Sequence, residues 1–153
     1  MHKVFGEIRN VKYTDRPGAY VIPIRGDDIG VVKTSKGYFL LGGGIEEVET
    51  DEMCIIRECL EETGYDVKVM DFICSAETYG YHYSNHPSIE NFHPIQAYYL
   101  GEILEKKQNP IEEDHYFKWV NYETIRGNLF VEMQNWALNQ CWNIRIVDKN
   151  RRE

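Results

Sequence analysis

The stretch "RECLEETGY", Arg57 to Tyr65, contains three glutamates, Glu58, Glu61 and Glu62, followed closely by a glycine. Like charges three or four residues apart on a helix repel each other, so such a cluster needs an explanation. Two explanations are open: an ordinary solvated helix surface, or a binding site for a divalent cation. The residues on either side of the stretch distinguish these two explanations.

The acidity of the chain is concentrated at this stretch. The 153-residue sequence has a formal net charge of −8. The segment 46–62 contains eight acidic residues and one basic residue, Arg57, and therefore carries −7 by itself. A negative chain is a poor binder of long nucleic acids, which attract proteins through their phosphates. An acidic segment by itself repels phosphate, and it attracts phosphate only once it holds a divalent metal. A metal site would therefore let this segment bind a phosphate-containing substrate.

Capping residues predict a helix from Thr50 to Thr63 that carries the three glutamates. Thr50 is a typical N-cap, and Gly64 is a typical residue to end a helix in the left-handed conformation. At about 100° per residue, the apolar and acidic side chains fall on opposite faces. The side chains expected to pack on a sheet are Met53, Ile56 and Leu60, with Cys59 at the edge.

The remaining pattern predicts one mixed α/β domain over residues 1–153. Alternating apolar segments bounded by turn residues predict strands, and the last apolar segment predicts a helix. The predicted strands are 19–24, 30–35, a short strand ending at Gly42, 65–79 (possibly bent), 94–103 and 116–122, and the predicted final helix is 122–142, weakened by Gly127.

No apolar run approaches the ~18 residues that a membrane helix needs, and no secretory signal is evident at the N-terminus. The cysteines form neither a CxxC pair nor a zinc spacing, which predicts buried, reduced thiols. These features favour a cytoplasmic protein that binds neither membranes nor nucleic acid polymers.

Three glycines, Gly42 to Gly44, precede the helix and suggest a close approach of the backbone to a ligand. Glu49 and Arg57 are placed to form an ion pair that folds this glycine loop back on the helix. An idle surface pair is the alternative.

Together these residues resemble the signature of the Nudix hydrolases. Gly43, five residues, Glu49, seven residues and then "RECLEETGY" reproduce the pattern Gly-x5-Glu-x7-Arg-Glu-U-x-Glu-Glu-x-Gly-U, where U is a bulky aliphatic residue. The departures are Cys59 and Tyr65 at the two U positions. In addition, Leu41 stands in place of the proline that often precedes this pattern, which we call the box.

The resemblance implies a fold, a metal and roles for the box residues. The fold would be an α/β/α sandwich with a mixed sheet and a loop-helix-loop box. Glu58, Glu61 and Glu62 would bind Mg²⁺, or alternatively Mn²⁺, with the Gly42 carbonyl completing the ligand set. A metal-activated water would attack phosphorus, and Glu58 would help to remove its proton.

Members of the family often take a general base or a further ligand from an acid beyond the box. The acidic segment before Trp119 is the natural candidate. We expect Glu113 to serve, with Glu112 and Asp114 as alternatives and Glu77 as a weaker one. A polar turn without catalytic role is equally compatible with this segment.

Substrate selection is expected in the long polar and aromatic segment 77–94. Tyr81, Tyr83 and Phe92 would stack on a nucleobase, although packing within the segment is an open alternative. Tyr81 and Tyr83 follow the box by 16 and 18 residues, a spacing seen in diadenosine polyphosphate hydrolases.

The sequence therefore predicts a Mg²⁺-dependent pyrophosphohydrolase that cleaves a nucleoside diphosphate linked to another group. A (deoxy)nucleoside triphosphate, in a MutT-like sanitising role, is the first choice, and a dinucleoside polyphosphate is the second. A Nudix-fold sensor that binds a nucleotide without cleaving it is the alternative from a different class. Monomer and homodimer both remain open.

Overall fold

A computed structural model describes the backbone of residues 1–79 and 91–152. Within these residues the strands are β1 (His2–Phe5), β2 (Tyr13–Arg25), β3 (Asp28–Thr34), β4 (Gly37–Phe39), β5 (Leu41–Gly44), β6 (Tyr65–Thr78), β7 (Asn91–Lys106) and β8 (Tyr116–Asn121). The helices are α1 (Asp51–Thr63), α2 (Tyr122–Ile125) and α3 (Glu132–Arg152).

The strands form one mixed sheet with β2 near its middle. β2 pairs in parallel with β7 and antiparallel with β3 and β5. β6 pairs antiparallel with β7 and carries β1, in parallel, on its other edge. β3 continues the sheet through antiparallel contacts with β4 and β8. The expected mixed α/β architecture is confirmed.

Alternating side chains of β2 build a core on each face of the sheet. Val21 belongs to the core that includes Cys54 and Ile55 of α1, whereas Ile22 belongs to the core that includes Met133 of α3. Successive side chains of a strand point to opposite faces, so one strand serves both layers. The result is a three-layer sandwich with α1 on one face and α2 and α3 on the other.

Helix α1 begins and ends where its capping residues predicted. The Thr50 hydroxyl oxygen accepts a hydrogen bond from the Met53 N–H at 3.2 Å. Gly64 adopts a φ of +81° and donates its N–H to the Leu60 carbonyl. Both signals are local, which explains why the sequence alone located them.

The predicted packing face of α1 is wrong, because the buried face is rotated about the helix axis relative to the predicted one. Met53 is 52% exposed, whereas Cys54, Ile55 and Cys59 are buried. The three glycines of β5 explain the difference, because backbone without side chains at positions 42–44 lets the helix approach closely. The Cys54 thiol lies 3.4 Å from the Gly43 carbonyl oxygen, and this spacing suits a small side chain.

The single final helix predicted over 122–142 is also wrong. The chain forms the short helix α2 and then turns, with Gly127 at a φ of +72°, before α3 begins at Glu132. A positive φ is incompatible with a continuous right-handed helix. Strand β1 was not predicted from the sequence.

The bend expected in the 65–79 strand is confirmed by register shifts between β6 and β7. All four cysteines are buried free thiols, as predicted. In the described part of the chain, no helix combines the length and apolar character required to cross a lipid bilayer.

Candidate active site

The glycine strand β5 brings the backbone against the acidic face of α1. Gly42 adopts a φ of +146°, and a Cβ at this position would lie 2.2 Å from the Ala19 carbonyl oxygen. The Gly42 N–H donates a 2.9 Å hydrogen bond to the Glu62 carboxylate. Only glycine permits this contact, because any side chain would meet the β2 backbone.

The next glycine makes room for a second carboxylate. A Cβ added to Gly43 would lie 2.5 Å from the carboxyl carbon of Glu58 and within 2.8 Å of both its oxygens. Glu58 therefore occupies the space that any larger residue at position 43 would fill. Gly44 differs, because a Cβ there would have no atom within 4 Å.

Arg57 connects the loop before α1 to the box glutamates. Its guanidinium binds Glu49 in a bidentate contact, with Nε–O and N–O distances of 2.7 and 2.9 Å. It also donates to the Gly44 carbonyl at 3.0 Å. Two further hydrogen bonds reach Glu58 at 3.0 Å and Glu61 at 3.3 Å. Bidentate pairing fixes geometry as well as charge, so Arg57 orders the whole loop.

The two partners of this pair shift each other's protonation. The hydrogen bonds from Arg57, helped by the Glu46 backbone, lower the pKa of Glu49 to about 2. The bond to Glu49 raises the pKa of Arg57 further above its usual value, although burial opposes the shift. Both side chains are thus firmly charged at neutral pH.

We expect Arg57→Ala to lower the rate of catalysis roughly 10–100-fold, since small displacements of positioning groups have effects of this size. Arg57→Lys should restore little, because an ammonium group cannot reproduce the bidentate contact. Steady-state kinetics of both variants, beside Arg126→Ala as an exposed control, would measure this. Parent-like rates in Arg57→Ala would contradict a positioning role.

The same variant has an expected acid response. Glu49 has a folded-state pKa below its ordinary 4.5, so its ion pair stabilises the fold above pH 4.5 and this contribution disappears as the pH falls toward 2. The stability difference between the parent and Arg57→Ala should shrink across that window in urea unfolding. A constant difference would contradict the pairing.

Glu62 is the most buried carboxylate of the box. The residue is 6% exposed, and burial raises the pKa of Glu62 well above its usual range despite the hydrogen bond from Gly42. Burial likewise raises the pKa of Glu58, against the opposing effect of Arg57. A nearby positive charge favours the ionised form of a buried carboxylate.

The donor set at this place fits a hard divalent cation. Glu58, Glu61 and Glu62 supply carboxylate oxygens on one side of α1, and the Gly42 backbone contacts Glu62. Mg²⁺ prefers such ligands. Residues 1–79 and 91–152 contain no group of three acidic, histidine or cysteine side chains already gathered around one point.

The acidic segment before β8 lies against the C-terminal end of α1. The backbone N–H groups of Ile111 and Glu112 both donate to the Glu61 carbonyl, at 2.8 and 3.1 Å. Burial is the main cause of the raised pKa of Glu58 and of Glu62, and the charge of Glu112 adds to both shifts.

The other acids of this segment have different surroundings. Glu113 lines the same cleft as Glu62. The Asp114 carboxylate accepts hydrogen bonds from the Ser35 N–H and hydroxyl, at 3.0 and 2.6 Å, and these contacts lower its pKa. Asp114 therefore holds the segment in place.

His115 also faces the site and was missed from the sequence. Its Nε2 atom lies 3.9 Å from a Glu62 oxygen. The only signal was a histidine directly after an acidic run, which has no fixed meaning without the fold.

Glu77, the weaker candidate, lies in a separate polar cluster. Its carboxylate oxygens lie 2.6 Å from His2 Nε2 and 3.1 Å from His93 Nε2. Burial works against ionisation, but hydrogen bonds with His2, Tyr79 and His93 outweigh it and lower the pKa of Glu77. Among the described residues, the cleft lining includes Glu62 and Glu113 but not Glu77.

A cleft of about 870 Å³ opens beside the buried Glu62. Its wall combines aromatic, amide and acidic side chains, among them Tyr20, Phe39, Glu62, Phe92, Gln96, Glu113, Phe130 and Gln134. Phe92 lies in this wall, and the Arg16 guanidinium lies 4.3 Å from its ring centre, while its stacking on a base stays a prediction. Tyr81 and Tyr83 lie outside the described residues, so their stacking role stays a prediction.

The match to a family model agrees with this geometry. The model of the NUDIX domain matches residues 14–139, which include every box residue. A search of curated proteins gives no match. Members of this family generally need a divalent metal.

Solved structures share the fold. A MutT NUDIX hydrolase from Burkholderia pseudomallei is 20% identical, with a TM-score of 0.65 over 83% of this chain and 98% of that one. A NUDIX hydrolase from Nitrosomonas europaea is 14% identical, with a TM-score of 0.68 over 85% and 90% of the two chains. An ADP-ribose pyrophosphatase from Streptococcus suis is 18% identical, with a TM-score of 0.63 over 86% and 92%. With the family model spanning most of the sequence and the box residues gathered beside a cleft, this chain belongs to the Nudix hydrolases.

Proposed function

We propose that this enzyme is a Mg²⁺-dependent pyrophosphohydrolase that cleaves a nucleoside triphosphate in a MutT-like sanitising role. Nudix hydrolases act on nucleoside diphosphate derivatives, and the triphosphate is the finer part of the proposal. The observation that carries it is the buried Glu62 carboxylate at the wall of a cleft of about 870 Å³. Clefts of roughly 300–1,000 Å³ are typical of small-molecule sites.

The box residues would divide the work between binding and positioning. Glu58, Glu61 and Glu62, with the Gly42 carbonyl, would hold the cation. When bound, the cation neutralises the pyrophosphate and lowers the pKa of a coordinated water. Arg57 and Glu49 keep the loop from Gly44 to Glu49 against α1 and so fix the distance between backbone and carboxylates.

A base beyond the box would come from the segment before β8. Glu113 lines the cleft and remains our first choice for removing a proton from the attacking water. Glu112 is the alternative, because its charge acts on Glu58 and Glu62. Separate Glu112→Gln and Glu113→Gln variants would assign the role, because loss of the general base removes the acidic limb of the pH–rate profile, in which the rate rises as the base loses its proton.

We expect the protein to hydrolyse at least one nucleoside triphosphate with Mg²⁺ and to stop in excess EDTA. A panel of nucleoside triphosphates, dinucleoside polyphosphates and nucleotide sugars, assayed for phosphate and pyrophosphate release, would test this. Mn²⁺ in place of Mg²⁺ should sustain turnover. Activity only on dinucleoside polyphosphates would show that these, and not nucleoside triphosphates, are the substrate. Full activity in EDTA would contradict the metal mechanism.

A sensor would give a different result in the same panel. It would bind nucleotide in calorimetry, with no product at any metal concentration. That outcome would overturn the proposed hydrolysis of this substrate class while leaving nucleotide binding in place.

A further inference from the structure

Two glutamines, Gln134 and Gln96, lie in the cleft wall, and each keeps at least one amide hydrogen without a hydrogen bond to a described residue. Gln134 is 1% exposed and Gln96 is 8% exposed, yet both line the cleft. A buried amide is costly unless its donors and acceptors are satisfied, so its free groups mark a place for a ligand.

The orientation of the Gln134 amide is fixed by its partner. The Leu40 backbone N–H lies 2.8 Å from the Gln134 side-chain oxygen, and a backbone N–H can only donate. The amide oxygen is therefore occupied, and the NH₂ group is directed elsewhere.

That NH₂ group reaches the cleft. It makes no hydrogen bond with any described residue. Every fully enclosed side-chain nitrogen or oxygen among the described residues has a hydrogen-bond partner, so this nitrogen is not fully enclosed. The nitrogen must therefore border open space, and the open space at Gln134 is the cleft. It offers donors and no acceptor.

Gln96 adds a second group of the same kind. Its oxygen accepts a 2.6 Å hydrogen bond from the Tyr98 hydroxyl, and its NH₂ group has only a long 3.5 Å contact with the Tyr20 hydroxyl oxygen. The cleft wall is thus rich in amide donors.

Aromatic rings and position indicate which part of a ligand these donors meet. Phe39 and Phe130 lie in the same wall with ring centres 5.3 Å apart, and such rings stack well on a planar base. Leu40, which holds Gln134, is two residues from Gly42, which holds Glu62. That separation is roughly 7 Å of extended chain, which is short enough for one nucleotide to place its phosphates near Glu62 and its base near Gln134.

We propose that Gln134, with Gln96, reads the base of the substrate and selects bases with a carbonyl oxygen where adenine and cytosine carry an amino group. A carbonyl oxygen on the base accepts hydrogen bonds from the amide NH₂ groups of the glutamines. An amino group on the base is itself a donor, so it cannot pair with these NH₂ groups. This inference rests on the proposed nucleotide hydrolysis and adds the class of base to it.

The test uses two pairs of nucleotides that differ mainly at this position: ITP against ATP, and UTP against CTP. We expect kcat/KM to favour ITP and UTP by about 10-fold or more, since leaving buried polar groups unpaired has effects of this order. Gln134→Glu keeps an oxygen for the Leu40 N–H and, measured at a pH high enough to ionise the new carboxyl, replaces the NH₂ by a second acceptor. Both preferences should fall by about 10-fold.

Two variants control for side effects of the added charge. Gln140→Glu makes the same chemical change on α3 outside the cleft and should keep the parent ratios. Repulsion between a new carboxylate and the phosphates affects both members of a pair equally, so it cancels in the ratio. If thermal melting shows that Gln134→Glu does not fold, Gln134→Met removes the donor without charge and should also lower the ratios.

Binding of the monophosphates separates this inference from the proposed function. IMP and AMP contain no phosphoanhydride, so calorimetry reads base preference without turnover. Hydrolysis of all four triphosphates with ratios near one, or ratios unchanged in Gln134→Glu, would overturn the inference alone. If no nucleotide is hydrolysed, the proposed function fails; tighter binding of IMP than AMP would then still support the inference, and equal or absent binding would overturn it.

Discussion

Glu62→Gln is expected to lower kcat by about 100-fold or more, a loss comparable to removing a major electrostatic contributor to catalysis. Glutamine has the same shape and can still accept the hydrogen bond from the Gly42 N–H, so the geometry of the loop is kept. What disappears is the negative charge that would hold the cation. Glu61→Gln should have an effect of similar size for the same reason.

The stability of Glu62→Gln should move in the opposite direction in metal-free buffer. The pKa of Glu62 is raised in the fold, so ionisation above its ordinary value of 4.5 costs the native state free energy. A neutral amide avoids this cost, and the stability advantage of the variant should grow as the pH rises above 4.5. Thermal unfolding at several pH values would measure it.

Glu47→Gln is the matched control for both measurements. Glu47 is exposed in the same acidic segment, and its replacement removes one charge without touching the cleft. Turnover that stays at the parent rate in Glu61→Gln and Glu62→Gln would sink the metal-binding role of the box.

Gly43→Ala should lower kcat roughly 10–100-fold, because even small misplacement of a catalytic group has consequences of this size. The added Cβ would lie 2.5 Å from the Glu58 carboxyl carbon, so the carboxylate has to move. Because this group is the end of a flexible side chain, the fold should survive the change. The Glu58 contact with Arg57, at 3.0 Å, should be disturbed in the same step.

Gly44→Ala provides an internal comparison one residue further along. A methyl group there has no neighbour within 4 Å, and the Gly44 carbonyl that binds Arg57 is unchanged. We expect parent-like kinetics. Steady-state assays of both variants, with circular dichroism to confirm folding, would decide. Equal activity of the two would show that Glu58 tolerates displacement and does not depend on a glycine at position 43.

The sequence by itself determined the features that depend on neighbours along the chain. Thr50 and Gly64 fixed the ends of α1, because capping bonds join residues within four positions of each other. The spacing of Glu49 and Arg57 predicted their ion pair, since the turn and one helix bring them together. The box also predicted the family and therefore the sandwich fold.

Only the tertiary structure decided which faces of these elements are buried. Helix α1 packs through Cys54 and Cys59 rather than Met53, because the approach distance depends on the glycines of a separate strand. β1 was not predicted from the sequence, because this strand is stabilised by pairing with β6 some seventy residues away.

The environment of the cleft was also decided by the tertiary structure alone. Glu62 has the sequence context of a surface residue, but it is buried because Gly42 of β5 closes over it. Gln134 reads as an ordinary polar residue of a helix, and its role follows from a bond to Leu40 across 94 positions of the chain. Local patterns carry no information on contacts of that range, because burial and hydrogen-bond satisfaction are set by whatever the fold places opposite each side chain.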